Sequence, residues 1–222
     1  MEIHNLLHHL AYGNAEESAA AAHNFVTNDA TLTQYKKLTA TLIKANDSRI
    51  VFWGLDVLIK NFPLQLQQDG EALIPWLLSN LTHESFPVVD RVVWALSVIG
   101  VAAVDALIYT VEQTSNPVHQ AACLGALRRN HHLYLRAKQV LALLAASLGS
   151  ATAEVRHWAM ITSMDISPLR SWFDERMQPQ DFEPLYRLVL PVAQEFIDST
   201  QDDIYIRYRD LITQHLANNQ AR

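Results

Sequence analysis

An apolar helix, a short polar break and a second helix, in most cases opening with an arginine, recur along this 222-residue chain. The pattern spans 3–29, 33–62, 70–100, 102–130, 134–166 and 184–217. The first five copies start 30 to 37 residues apart. Such a repeat constrains the fold more than any single motif. One helix pair cannot bury its own apolar face, so each must stack on the next.

Helical spacing supports the assignment. Leu38, Leu42 and Ile43 form one stripe. Leu73, Leu77, Leu78 and Leu81 form another, and Leu141, Leu144, Ala145 and Leu148 a third. No stretch sustains a two-residue alternation, and 6 Gly and 8 Pro supply little turn chemistry for a many-stranded fold. The breaks have local causes. Asn116-Pro117 and Ser167-Pro168 read as an N-cap followed by a first-turn proline, and Pro87 and Pro184 as first-turn prolines. Asp69 and Thr152 read as further N-caps. Gly13, Gly100 and Gly149 read as left-handed stops.

The second helices share detail. Trp53-Gly54, Trp94-Ala95, Leu124-Gly125 and Trp158-Ala159 each set a bulky residue before a small one, which lets a neighbouring helix approach. Arg49, Arg91, Arg156 and Arg207 lie near helix starts, where the fourth pair has His119-Gln120, and these arginines read as structural, bonding to a neighbouring repeat's carboxylate or loop carbonyls. With Ala72-Leu73-Ile74-Pro75-Trp76-Leu77-Leu78, Ala95 to Gly100, Asn116-Pro117-Val118 to Ala126-Leu127, and Glu154-Val155-Arg156, the chain resembles the HEAT repeat family. Pro75 and Pro191 are similar to that family's kinked first-helix prolines. The resemblance implies an all-α superhelix of about six antiparallel pairs in a single domain, 1–217, with a concave surface built by the second helices. It carries no activity, because such repeats serve many roles. Residues 167–183 break the period and read as an irregular insertion, with Trp172 and Phe173 as a binding element or an elaborated connection. Residues 218–222 read as a frayed tail.

The chemistry is sparse. Half the residues are hydrophobic and 18% are charged, so the chain is not disordered. One cysteine, Cys123, excludes an internal disulfide and reads as a buried, inert thiol. The longest uncharged apolar runs have seven residues, well short of the roughly 20 of a membrane span. With no basic leader at Met1–Leu7, the expectation is a cytoplasmic protein without a membrane partner. His4, His8 and His9 stand at metal-ligand spacing on a helix but lack a further ligand, so no metal or cofactor is expected. His83-Glu84 falls in a break, not on a second helix, which argues against the paired-iron chemistry of one HEAT-repeat enzyme family.

Two functional readings remain. The first is a non-enzymatic scaffold for a protein or peptide partner: an adaptor, an assembly factor or an immunity-type inhibitor. The second follows from a resemblance to HEAT-like alkylpurine DNA glycosylases, which would use Trp53, Trp94, Trp158, the arginines and one of Asp56, Asp90 or Asp165. A net charge of −6 disfavours nucleic acid, since duplex affinity comes largely from neutralised phosphates. The repeats also resemble those of bilin-lyase subunits, with no site residue to carry over. Packing against the adjacent repeat is the first reading for Trp53, Trp94 and Trp158, with Trp53 and Trp158 on core faces and Trp94 the best candidate for an exposed aromatic anchor. Residues 113–153 contain no acid and four bases. Partner-binding candidates are therefore Arg91, Trp94, Arg128, Arg129, Arg136, Arg156 and Trp172.

Overall fold

A computed structural model describes residues 2–25, 31–169, 176–177, 179–200 and 202–220. The described residues contain helices and no strand. The chain divides into two compact units, residues 1–103 and 104–222.

The first unit holds α1 (Ile3–Tyr12), α2 (Ala15–Asn24), α3 (Leu32–Lys44), α4 (Ser48–Asn61), α5 (Pro63–Asp69), α6 (Ile74–Ser79) and α7 (Phe86–Ile99). The second helices stack in order, α2 on α4 and α4 on α7. Their shared core contains Leu6, Leu10, Leu38, Leu42, Leu55, Leu58, Val88, Val92 and Leu96, all buried. Asn14 and Glu17 form a reciprocal capping box that starts α2, as Thr31 and Gln34 do for α3. The Asp47 carboxylate accepts from the Arg49 N–H and starts α4. Gly54 permits the close α3–α4 approach, since a Cβ there would collide with Leu42 Cδ2. The first helix of the third pair is broken: α5, a 3-10 turn at Gly70–Leu73, α6 and a second 3-10 turn at Asn80–Thr82. Pro75 therefore sits in the first turn of α6 and does not kink a longer helix. Asp69 ends α5 and caps nothing with its side chain.

The second unit holds most of α8 (Val101–Gln113), then α9 (Pro117–Leu127), α10 (Ala137–Leu148), α11 (Ala153–Asp165), α12 (Glu183–Thr200) and α13 (Asp203–Gln220). Asn116 accepts from the Val118 and His119 N–H groups ahead of Pro117 and starts α9. α9 packs on α11, and α12 on α10, α11 and α13. Gly125 makes room for Trp158, whose ring atom Cε3 would lie 3.0 Å from an added Cβ. Between α9 and α11, the buried Thr162 hydroxyl donates to the Leu124 carbonyl at 2.8 Å. Pro191 lies inside α12. The helical repeat is thus an all-α fold of successive pairs, HEAT-like in organisation.

Other expected caps differ as well: Thr152 precedes α11 but makes no side-chain cap bond. Gly100 has a φ of 89° and ends α7, but Gly13 and Gly149 have φ of −74° and −86°. Any residue tolerates those angles, so these two glycines are not left-handed stops. Ser167 starts no described helix. Its hydroxyl accepts from the Leu169 N–H and meets the Tyr186 hydroxyl at 2.8 Å, tying the chain after α11 to α12. No helix among the described residues is long and apolar enough to cross a membrane.

Candidate functional site

Two faces of the first unit meet at Arg91. On α4, Phe52, Asp56 and Lys60 follow at four-residue steps and share one side of the helix. On α7, Asp90, Arg91 and Trp94 lie opposite the stripe Val88, Val92, Ala95 and Ile99 that enters the core. Arg91 Nε donates to Asp56 Oδ1 at 2.9 Å, and Nη1 donates to Asp90 Oδ2 at 2.9 Å. Lys60 Nζ donates to Asp56 Oδ2 at 2.6 Å. A carboxylate buried to 2% exposure is costly unless paired, and Asp56 receives a donor on each oxygen. The Arg91 guanidinium carbon lies 4.9 Å from the Phe52 ring centre and 5.2 Å from that of Trp94. Trp94 remains 43% exposed. The result is an indole held at the surface beside a cation whose position is fixed from behind.

Trp53 and Trp158 are half-buried, and Trp158 packs on Gly125 of the preceding pair, as expected of a residue that joins adjacent repeats. A helix that is apolar all round still turns one edge outward. Trp53 meets the exposed His23 edge-on at 5.1 Å, and Phe52 at 4.8 Å.

In the second unit Arg128, at the C-terminus of α9, donates through Nη1 to Asp165 Oδ2 at 3.0 Å, with its guanidinium carbon 5.3 Å from the Trp158 ring centre. Arg156 donates to the Ser150 carbonyl at 2.6 Å and holds Glu195 through Nε and Nη2. Arg136 grips both oxygens of Asp105, at 2.6 and 2.9 Å. Arg129 is exposed. Trp172 lies outside the described residues.

The first-turn arginines Arg49, Arg91 and Arg156 bond to carboxylates or loop carbonyls as the sequence reading expects, and Arg128 and Arg136, read there as part of a basic stripe, follow the same rule. Arg91–Asp56, Arg128–Asp165, Arg136–Asp105 and Arg156–Glu195 span 35, 37, 31 and 39 residues. Each separation is about one repeat. The acid-free run 113–153 therefore takes counter-charges from the flanking helices. Backbone carbonyls are served too: Arg49 donates to that of Gly13, 36 residues away, and Gln120, standing where other pairs have arginine, donates within its own pair to those of Val111 and Thr114. A carboxylate one repeat interval away was the available signal.

Asp56, Asp90 and Asp165 are each held by an arginine, so none of the three acids stands alone. Cys123 is fully buried, and burial pushes its thiol up to about 12. His4 and His8 are exposed on α1, and no group of three or more His, Cys, Asp or Glu among the described residues could hold a metal. His157 is enclosed by the rings of Trp158, Phe196 and Tyr205, with the Tyr205 hydroxyl 3.1 Å from Nδ1. Burial lowers its pKa, and the charge of Arg128 adds to this, while Glu154 and Asp202 oppose it.

No family model and no curated protein matches the chain. Among solved structures it is similar to a designed armadillo repeat protein, YIII(Dq.V1)4CPAF, in complex with the peptide (KR)4. The identity is 18% and the TM-score 0.43, covering 96% of this chain and 99% of that one.

Proposed function

We propose that this chain is a non-enzymatic helical-repeat scaffold that binds a protein or peptide partner through its second-helix surface. The observation that carries the reading is Trp94. An exposed indole beside an arginine already clamped by Asp56 and Asp90 offers a partner a rigid anchor. Aromatic and arginine side chains of this kind supply much of the energy at protein interfaces, and a pre-ordered one loses little freedom on binding. Arg156, Arg128 and Arg136 contribute polar contacts in the second unit. The role is that of an adaptor, assembly factor or inhibitor.

The nucleic-acid reading is weaker for a physical reason. Arg91, Arg128, Arg136 and Arg156 each hold a carboxylate. A phosphate would have to displace or share that partner, which removes most of the counterion-release gain. Selection from a random displayed peptide library tests the two readings together. The scaffold reading predicts an enriched sequence family, with synthetic members binding at about micromolar Kd. No enrichment, with salt-dependent retention of duplex DNA instead, would overturn it.

A further inference from the structure

A cavity of about 310 Å³ opens where α9 and α11 end. Arg128, Asp165, the exposed His131 and the buried Asn130, whose Oδ1 already accepts from the His132 N–H, give it a polar side. Leu133, Ile166 and Met177, all buried, give it an apolar side. Its volume lies at the lower edge of the range for small-molecule sites.

Arg128 is the informative group. Its guanidinium is oriented by Asp165 through Nη1 and by the Trp158 ring. Nε and Nη2 donate to no other described residue, so the fork retains unused N–H donors. Asp165, by contrast, has a further interaction beyond Arg128. Among the described residues, the unspent hydrogen-bonding capacity of the Arg128–Asp165 pair is therefore that of a donor, and it suits an acceptor carrying negative charge. Asp165 also limits that charge. The pair sums to zero, so a monoanion gains the fork's hydrogen bonds, while a dianion meets the Asp165 carboxylate at short range. The apolar side has no polar group to offer, so it suits a hydrocarbon body.

We propose that this cavity binds a single carboxylate borne on a compact apolar body, with the carboxylate on the free edge of Arg128 and the body against Leu133, Ile166 and Met177. That chemistry belongs to small aryl or alkyl acids and to the C-terminal residue of a peptide ending in an apolar side chain. The site lies in the second unit and does not depend on the Trp94 anchor.

The test uses the full chain and calorimetric titration with phenylacetate, phenylacetamide and inorganic phosphate. Phenylacetate should bind saturably below about 10 mM, and phenylacetamide at least about tenfold more weakly. Inorganic phosphate should not displace phenylacetate. Arg128→Lys keeps a cation beside Asp165 but loses the planar fork, and should weaken phenylacetate about tenfold. N-acetyl-Ala-Phe, compared with its C-terminal amide, separates the two sources. Tighter binding of the free-carboxylate dipeptide than of phenylacetate supports a peptide end, and the reverse supports a free acid. His157 provides a reading without a variant. Its ring lies against Trp158, and its pKa is lowered mainly by burial, to which the Arg128 charge adds a smaller contribution. A carboxylate on Arg128 offsets that charge, so the His157 midpoint followed by NMR should rise with phenylacetate and not with phenylacetamide. Equal binding of acid and amide, no saturation, displacement by phosphate, or unaltered affinity in Arg128→Lys would each overturn the proposal.

Discussion

Asp56 shows how much a single buried charge can control. Removing its carboxylate leaves Arg91 partly buried with a lost partner, whereas the exposed Lys60 can turn to water. Asp56→Ala should destabilise the chain by about 3 kcal/mol, read as a lower urea midpoint. Replacing both partners, Asp56→Leu with Arg91→Met, should recover most of that loss, because an unpaired buried charge is the costly state. Equal loss in the single and double variants would mean that packing, not charge, holds α4 to α7. This pair also marks where sequence reading stopped. Asp56 lies in an apolar helix with nothing local to explain it. Its partner is 35 residues away, so the reason for the acid appears only when the repeats are laid side by side.

At the scale of elements, starts were legible and some stops were not. Asn116-Pro117 and Asp47 act within three residues, so their caps can be read directly. The stretch 70–81 could not be read as three short pieces. Its apolar spacing is helical, and only tertiary packing settles where 3-10 turns interrupt it. The side-chain pairs that join helices were likewise out of reach. His157 is one of them, linking α11 to α12 and α13 through Phe196 and Tyr205. Its folded pKa is lowered, while the unfolded value is about 6.5. Below about pH 6.5 the unfolded chain therefore takes up a proton that the folded chain resists. This group's contribution is full above pH 6.5 and is lost as the pH falls towards the folded pKa. Urea midpoints from pH 7.5 down to 5 should decline more steeply for the wild type than for His157→Gln. Parallel curves would mean that the ring is not held neutral.

At the scale of the molecule, the repeat makes each pair depend on its neighbours. A fragment ending at Asn130 keeps α9 but loses α11, on which α9 packs, together with the Thr162–Leu124 bond. The newly exposed face includes Leu124 and Leu127, and the 1–130 fragment should aggregate in size-exclusion chromatography. A soluble, helical monomer would contradict that dependence. Arginines that hold carboxylates about one repeat away turn what looks like a charge stripe in the sequence into internal cross-bracing. Trp94 differs from the other exposed aromatics in having an arginine, itself held by two carboxylates, beside its ring. The most direct measurement is the affinity of a library-selected peptide for the wild type and for Trp94→Ala. The scaffold account predicts at least about tenfold weaker binding in the variant with an unchanged helical spectrum. Equal affinity for the two proteins would contradict it.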